Sequence, residues 1–348
     1  MHVNKKIMDT LSKCYSIAPL RYNNEDCIIV AAEKSDPCYL YGINGEKKDT
    51  VWTEPGGTMS IVQIPESNGA FLATHRFYSP NDGAQAKIVY VTPSDSGWMV
   101  RTLVELPFVH RFDIIRNKGI NWLFACTLKS GHEYKDDWSS PGKVYAAVLP
   151  DDIASCIEEQ SLQLKPIKEG LLKNHGYTRD EHKGVQTAIV SADNGVFRFT
   201  PPDNPFGEWQ AERLLDCPAS DAIFADLDND GKKELCIMSP FHGDEFSIYA
   251  EREGEYRRVY VHPEPLEFLH AVASGQVCGK QRVIIGHRKG KRNLYAFSYD
   301  ESAGSYRADL IDSDTGAANV YLFKRNGTDV LIAANREIDE IALYELFP

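Results

Sequence analysis

The feature that most constrains this chain is a repeat. Four short strand-like runs, HAVASGQV, QRVIIGHR, NLYAFSYD and YRADLIDS, follow one another between His270 and Ser313. The unit before them reads DAIFADL, KELCIMSP, EFSIYAER and YRRVYVHP, and an earlier one reads SIVQIPE, GAFLATHR, AKIVYVTP and WMVRTLVE. Each run is rich in β-branched and aromatic residues and partly alternates, which is strand patterning. Taking the first strand of each unit gives the anchors Ser16, Ser60, His110, His175, Asp221, His270 and Asn319, spaced by 44, 50, 65, 46, 49 and 49 residues. Four antiparallel strands recurring at that period are the signature of a propeller blade. The expected fold is therefore all-β, a seven-bladed β-propeller of four-stranded antiparallel blades. Two β-sandwiches in tandem would not give so regular a period.

The last unit supplies only three strands, NVYLFKRN, DVLIAANR and EIALYELF. The N-terminal run KKIMDTLSK is expected to complete it, closing the ring and hiding a sheet edge. Residues 1–348 then read as one domain. The long spacing holds two insertions, a polar loop at 130–142 and a helix-like stretch at 151–162.

Composition narrows the function classes. The net charge is −12, with neither a basic tail nor a basic stripe. No nucleic acid and no anionic membrane is therefore expected as a partner. No run of 18 apolar residues exists, and residues 1–17 lack a signal-type apolar core. The eight cysteines are scattered without a CxxC pair. They read as reduced and buried, with the cytoplasm as the expected compartment.

The sharpest local motif is Asp226-Leu-Asp228-Asn-Asp230-Gly231-Lys232-Lys-Glu234. Carboxylates at alternate positions around a turn-forming glycine, with the Lys232 carbonyl between them, offer hard oxygen donors suited to Ca²⁺. No glutamate follows at the twelfth position of an EF-hand, and strands flank the loop. The loop resembles the calcium hairpin of FG-GAP/VCBS-type propellers, which lies between the first two strands of a blade. Its expected role is structural, on the face away from the active site.

The anchors converge at one mouth of the channel. Three of them are histidines and one is an aspartate, so His110, His175, Asp221 and His270 are expected to hold a divalent transition ion such as Zn²⁺ or Mn²⁺. The ends of the second strands open on the same face and bring Arg76, Arg288 and Arg336 as substrate-binding groups, joined by Asn319 and Tyr177. Candidate general bases there are His75, His242, His287, Lys129 and, on the loop insertion, His132.

The DLDNDGKKEL hairpin, the blade-start segments FVHRFD, NHGYTRD and FLHAVA, and the strand endings IIGHR and AANRE resemble the propeller domains of aldos-2-ulose dehydratase and its bacterial relatives. That resemblance implies elimination of water from a keto-sugar with a metal ion at the channel mouth. Oligogalacturonate lyase, similar in architecture alone, also eliminates with a histidine-bound metal. The expected function is a metal-dependent carbon–oxygen lyase or isomerase acting on a keto-sugar or uronate-type carbohydrate, with scope for a homo-oligomer. The competing readings are a non-catalytic, calcium-stabilised propeller that binds a protein or glycan, and a metal-dependent lactone or phosphoester hydrolase.

Overall fold

The computed structural model describes residues 1–34 and 36–348. Seven four-stranded antiparallel sheets succeed one another along the chain. Blade 1 begins with the inner strand Cys14–Tyr22, blade 2 with Ile61–Gln63, blade 3 with Val109–Asn117 and blade 4 with Gly176–His182. Blades 5, 6 and 7 begin with Asp221–Ala225, Leu269–Val277 and Ala317–Arg325. The expected all-β, seven-bladed architecture is the observed one.

The fourth strand of blade 7 is His2–Thr10, which pairs antiparallel with Glu340–Phe347 from His2 opposite Phe347 to Thr10 opposite Glu340. The strand expected to close the ring does close it.

Burial follows position within the blade. The second strands, such as Ile120–Thr127 and Thr328–Asn335, are buried over nearly their whole length. They are covered on both faces by neighbouring blades, so they read as continuous apolar runs rather than alternating ones. Outer strands such as His2–Thr10 and Gly97–Glu105 are mostly exposed. The apolar core divides into seven clusters, one at each junction between adjacent blades. Each junction buries its own side chains, so stability is spread around the ring.

The two insertions flank the third strand of blade 3, Gly142–Val148. The second contains the helix Ile153–Glu159, capped by Asp152, whose carboxylate accepts from the Ser155 amide. Ile153 and Cys156 are its buried side chains. Among the described residues the cysteines are unpaired, and six of the eight are buried. No helix there is long and apolar enough to cross a membrane.

Candidate functional site

The inner strands of blades 1, 3, 6 and 7 carry a β-bulge near their start, at Tyr15, His110, His270 and Ala318. An inserted residue of this kind turns its side chain out of the normal alternation. His110 and His270 therefore occupy the bulge itself, whereas Ser16 and Asn319 follow it by one residue. The seven anchors are not one equivalent position, and this changes what they do.

Their side chains stitch each blade to the next in a belt of hydrogen bonds at the start of the inner strands. Ser16 Oγ donates to the Thr58 carbonyl at 2.6 Å and Ser60 Oγ to the His110 carbonyl at 3.2 Å. His110 Nδ1 lies 3.1 Å from the His175 carbonyl, and His175 Nδ1 lies 3.2 Å from the Ser220 carbonyl. His270 Nδ1 lies 2.7 Å from the Ala318 carbonyl, and Asn319 Nδ2 donates to the Tyr15 carbonyl at 2.9 Å. A carbonyl can only accept, so the proton of each of these histidines sits on Nδ1 and its Nε2 keeps a lone pair. The one junction without such a bond among the described residues is that between blades 5 and 6, where Asp221 as a carboxylate has no proton to give.

Three Nε2-bearing rings come together. His175, His242 and His270 form a cluster whose donor atoms all lie within 4.8 Å of one another. His175 Nε2 and His242 Nε2 are 3.3 Å apart. His242 is held there by a left-handed backbone, φ 50°, and by stacking between Phe241 and Phe268 at 3.9 and 4.2 Å. Burial, with the nearby positive groups adding to it, holds His242, His110 and His270 well below the usual imidazole range. Neutral imidazoles are what a transition ion requires.

The geometry groups a different set from the expected His110, His175, Asp221 and His270. Asp221 lies outside the cluster because its Oδ2 accepts from His175 Nδ1 at 2.9 Å. It orients the His175 ring. His110 also lies outside, with Phe77 against it edge-on at 5.1 Å. His242, expected as a base, takes the vacated place.

Aromatic side chains pack against the histidines. Tyr15, Phe77 and Phe108 are buried there, with Trp138 and Phe241 packed against the same apolar cluster. The 130–142 insertion supplies Trp138. Lys129 secures that loop: it is fully buried, donates to the Asp137 carbonyl at 3.1 Å and sits 4.9 Å from the Trp138 ring centroid. Burial lowers its pKa, but its hydrogen bond and ring contacts belong to the cover. His132 packs edge-on against Phe108 at 5.5 Å, within the same cover.

Other candidates are occupied. His75 is buried against Trp52 of blade 1 at 4.6 Å, between blades. His287 accepts from the Asn293 amide at Nε2 and lies 3.3 Å from the Glu267 carbonyl at Nδ1, so both nitrogens hold a loop. Arg288 points both Nε and Nη2 at Oε1 of Glu337, and Arg336 pairs with Glu337 and Glu33. That chain of charges ties blades 6, 7 and 1 together. Arg76 is exposed, with one long contact to Gln85 at 3.4 Å. None of the three arginines lines the central cavity.

That cavity, of about 420 Å³, lies along the inner strands beside the belt and is lined by Asp221, His270, Asn319 and Tyr177 among others. Sequence reasoning missed Arg111, Asp113 and Arg179, which also line it. Their signal was present as charges at alternate positions of inner strands, in HRFD and GYTRD. Tyr177 donates to Asp113 at 2.6 Å and Arg179 is bidentate on the same carboxylate.

The acidic hairpin forms the second cluster. Asp226, Asp228 and Glu234 bring their carboxylates within 4.8 Å of one another. One buried oxygen of Asp226, Oδ1, has no partner. Asp230 stands aside, accepting from the Lys232 amide at 2.8 Å. Burial pushes Glu234 up to about 7, with Asp228 and Asp226 adding repulsion. The loop follows the far end of Asp221–Ala225, away from the belt.

No protein-family model matches the chain. No curated protein matches it either. Among solved structures it is similar to the β-propeller domain of Cps50 (Swd1) from Myceliophteria thermophila, with a TM-score of 0.56 and 11% identity over 99% of this chain and 100% of that one. The likeness is one of fold.

Proposed function

We propose that the protein is a metal-dependent carbon–oxygen lyase or isomerase acting on a small carbohydrate in the central channel. The observation that carries this reading is the convergence of His175, His242 and His270 beside a polar cavity. Three neutral imidazoles suit Zn²⁺ or Mn²⁺, and three protein ligands are the usual count of a catalytic zinc site. Such an ion supplies polarisation of a carbonyl and acidification of the neighbouring C–H.

The chain's own residues prepare that site. Asp221 fixes the His175 ring by taking its Nδ1 proton in a hydrogen bond, and the Ala318 carbonyl does the same for His270. Burial pushes the Tyr15 phenol up to about 12, so it keeps its proton and donates to His270 Nε2 at 3.0 Å; that hydroxyl would have to turn away before the nitrogen could hold an ion. The aromatic cover excludes water from one side of the cluster, which strengthens the electrostatics within. The resemblance to FG-GAP/VCBS propellers and to aldos-2-ulose dehydratase supports the same reading. It also assigns the Asp226, Asp228 and Glu234 cluster to a structural Ca²⁺, consistent with the unpartnered Asp226 oxygen.

One observation favours the competing, non-catalytic reading: Arg288 and Arg336 are spent on Glu337 and Glu33. Elemental analysis of protein purified without a histidine tag separates the two. Near-stoichiometric zinc or manganese, lost in His242→Ala/His270→Ala together with turnover of keto-sugars or uronates, is the expected result. Calcium alone, or full activity in the metal-free double variant, overturns the lyase reading.

A further inference from the structure

The central cavity has one uncommitted positive charge. Its volume of about 420 Å³ lies within the roughly 300–1,000 Å³ range of small-molecule sites. Four charged side chains line it: Arg111, Asp113, Arg179 and Asp221. Asp113 accepts from Tyr177 and takes both Nε and Nη2 of Arg179, so this pair cancels. Asp221 accepts from His175. Arg111 differs from Arg179. Its one recorded hydrogen bond runs from Nη1 to the Met59 carbonyl at 2.8 Å. Among the described residues no carboxylate comes within 4.0 Å of its guanidinium, although that group has five N–H donors.

Arg111 directly follows His110 on the inner strand of blade 3, next to the belt. Its ring neighbour is Tyr15, whose centroid is 5.9 Å from the guanidinium carbon. Tyr15 in turn is hydrogen-bonded to His270. The free donors of Arg111 and one member of the histidine cluster, His270, therefore line the same cavity.

We propose that Arg111 binds the carboxylate of a monoanionic sugar acid, of uronate type, in the central cavity. A planar guanidinium matches a carboxylate with two parallel hydrogen bonds, whereas it offers a neutral sugar no such complement. With Asp221 counted, the four lining charges sum to zero, so the cavity suits one negative charge placed against Arg111 better than two. A dianionic phosphate would bring a second charge toward Asp221 with nothing to neutralise it. The proposal rests on the lyase reading for its reaction, but the binding stands on the cavity alone. In that reaction the paired guanidinium would stabilise negative charge developing on the carboxylate.

The test is calorimetric titration of tag-free protein with galacturonate and glucuronate, against galactose and glucose. The uronates are expected to bind and the neutral sugars to bind at least about 10-fold more weakly. Arg111→Gln should weaken uronate binding by about 10- to 100-fold, with its melting temperature and metal content unchanged, and Arg111→Lys should retain part of the affinity. Equal binding of acid and neutral sugar overturns the proposal, as does unaltered affinity in Arg111→Gln or no uronate binding at all. His242→Ala keeps the two readings apart. Uronate binding that persists there without metal or turnover supports Arg111 and the metal site separately. Metal and turnover in the wild type without uronate binding would sink the Arg111 proposal alone.

Discussion

Oδ2 of Asp221 lies 2.9 Å from Nδ1 of His175, and the two residues are almost fully buried on adjacent blades. A carboxylate behind a metal-binding imidazole fixes the ring and its tautomer. Asp221→Ala should therefore lower metal affinity by about 10- to 100-fold while leaving the three imidazoles in place. Competition with a chromophoric chelator measures it. Unchanged affinity would mean that His175 is not a ligand.

His75 gives the fold an acid sensitivity unconnected with the histidine cluster. Burial pushes its pKa down to about 4, with Lys87 and Arg76 adding to the shift. An unfolded histidine titrates near 6.5. The unfolded chain thus binds a proton that the folded one refuses between these values. The stability from neutral His75 is complete above pH about 6.5 and is lost as pH falls toward 4, with a limit of about 3 kcal/mol. His75→Phe should flatten that part of the curve. Urea unfolding of both proteins between pH 7 and pH 4.5 checks it.

Glu337 holds two guanidinium groups at once, Arg288 and Arg336. Its removal as Glu337→Gln should cost about 2 kcal/mol. That is below the roughly 3–5 kcal/mol of a buried pair, because its side chain keeps 23% of its exposure. Arg76→Ala, at an exposed site, should stay within about 0.5 kcal/mol. Denaturant midpoints compare the two.

The ring of blades was legible in the sequence because a four-strand unit recurs at a regular period, each blade having to pack against its neighbours in the same way. His175 and His270 were legible for a related reason, since a repeat places its strand starts near one axis. Asp221 was grouped with the histidines because repeat spacing places it at the same strand start; spacing alone does not show that its carboxylate turns to His175 Nδ1. His242 was seen but given another role. Its place depends on a left-handed turn and on two flanking phenylalanines, Phe241 and Phe268, which come from different blades. Arg288 and Arg336 were assigned to substrate because their partner Glu337 meets Arg288 only across a blade junction. Arg111 was overlooked because it stands beside the more conspicuous His110.

The acidic hairpin should respond to calcium. Added Ca²⁺ is expected to raise the melting temperature, by the equivalent of about 2.7 kcal/mol at one hundred times its dissociation constant. Asp226→Asn should abolish the response and leave the zinc or manganese content unaltered. Differential scanning calorimetry with and without chelator checks it. A response that survives Asp226→Asn would place the ion elsewhere.

The pairing of His2–Thr10 with Glu340–Phe347 also sets an order of events in time. A chain made from its N-terminus must leave its first strand waiting, unpaired, until its partner emerges from the ribosome. The middle blades can stack on one another meanwhile, because each needs only its neighbour. The seventh blade cannot form by any local route. Its closing contact joins segments separated by nearly the whole chain, which is the slowest kind to find. Until that meeting, His2–Thr10 and the outer edge of Glu340–Phe347 stay open to any other strand nearby, so the last moment of folding is also the one most exposed to error.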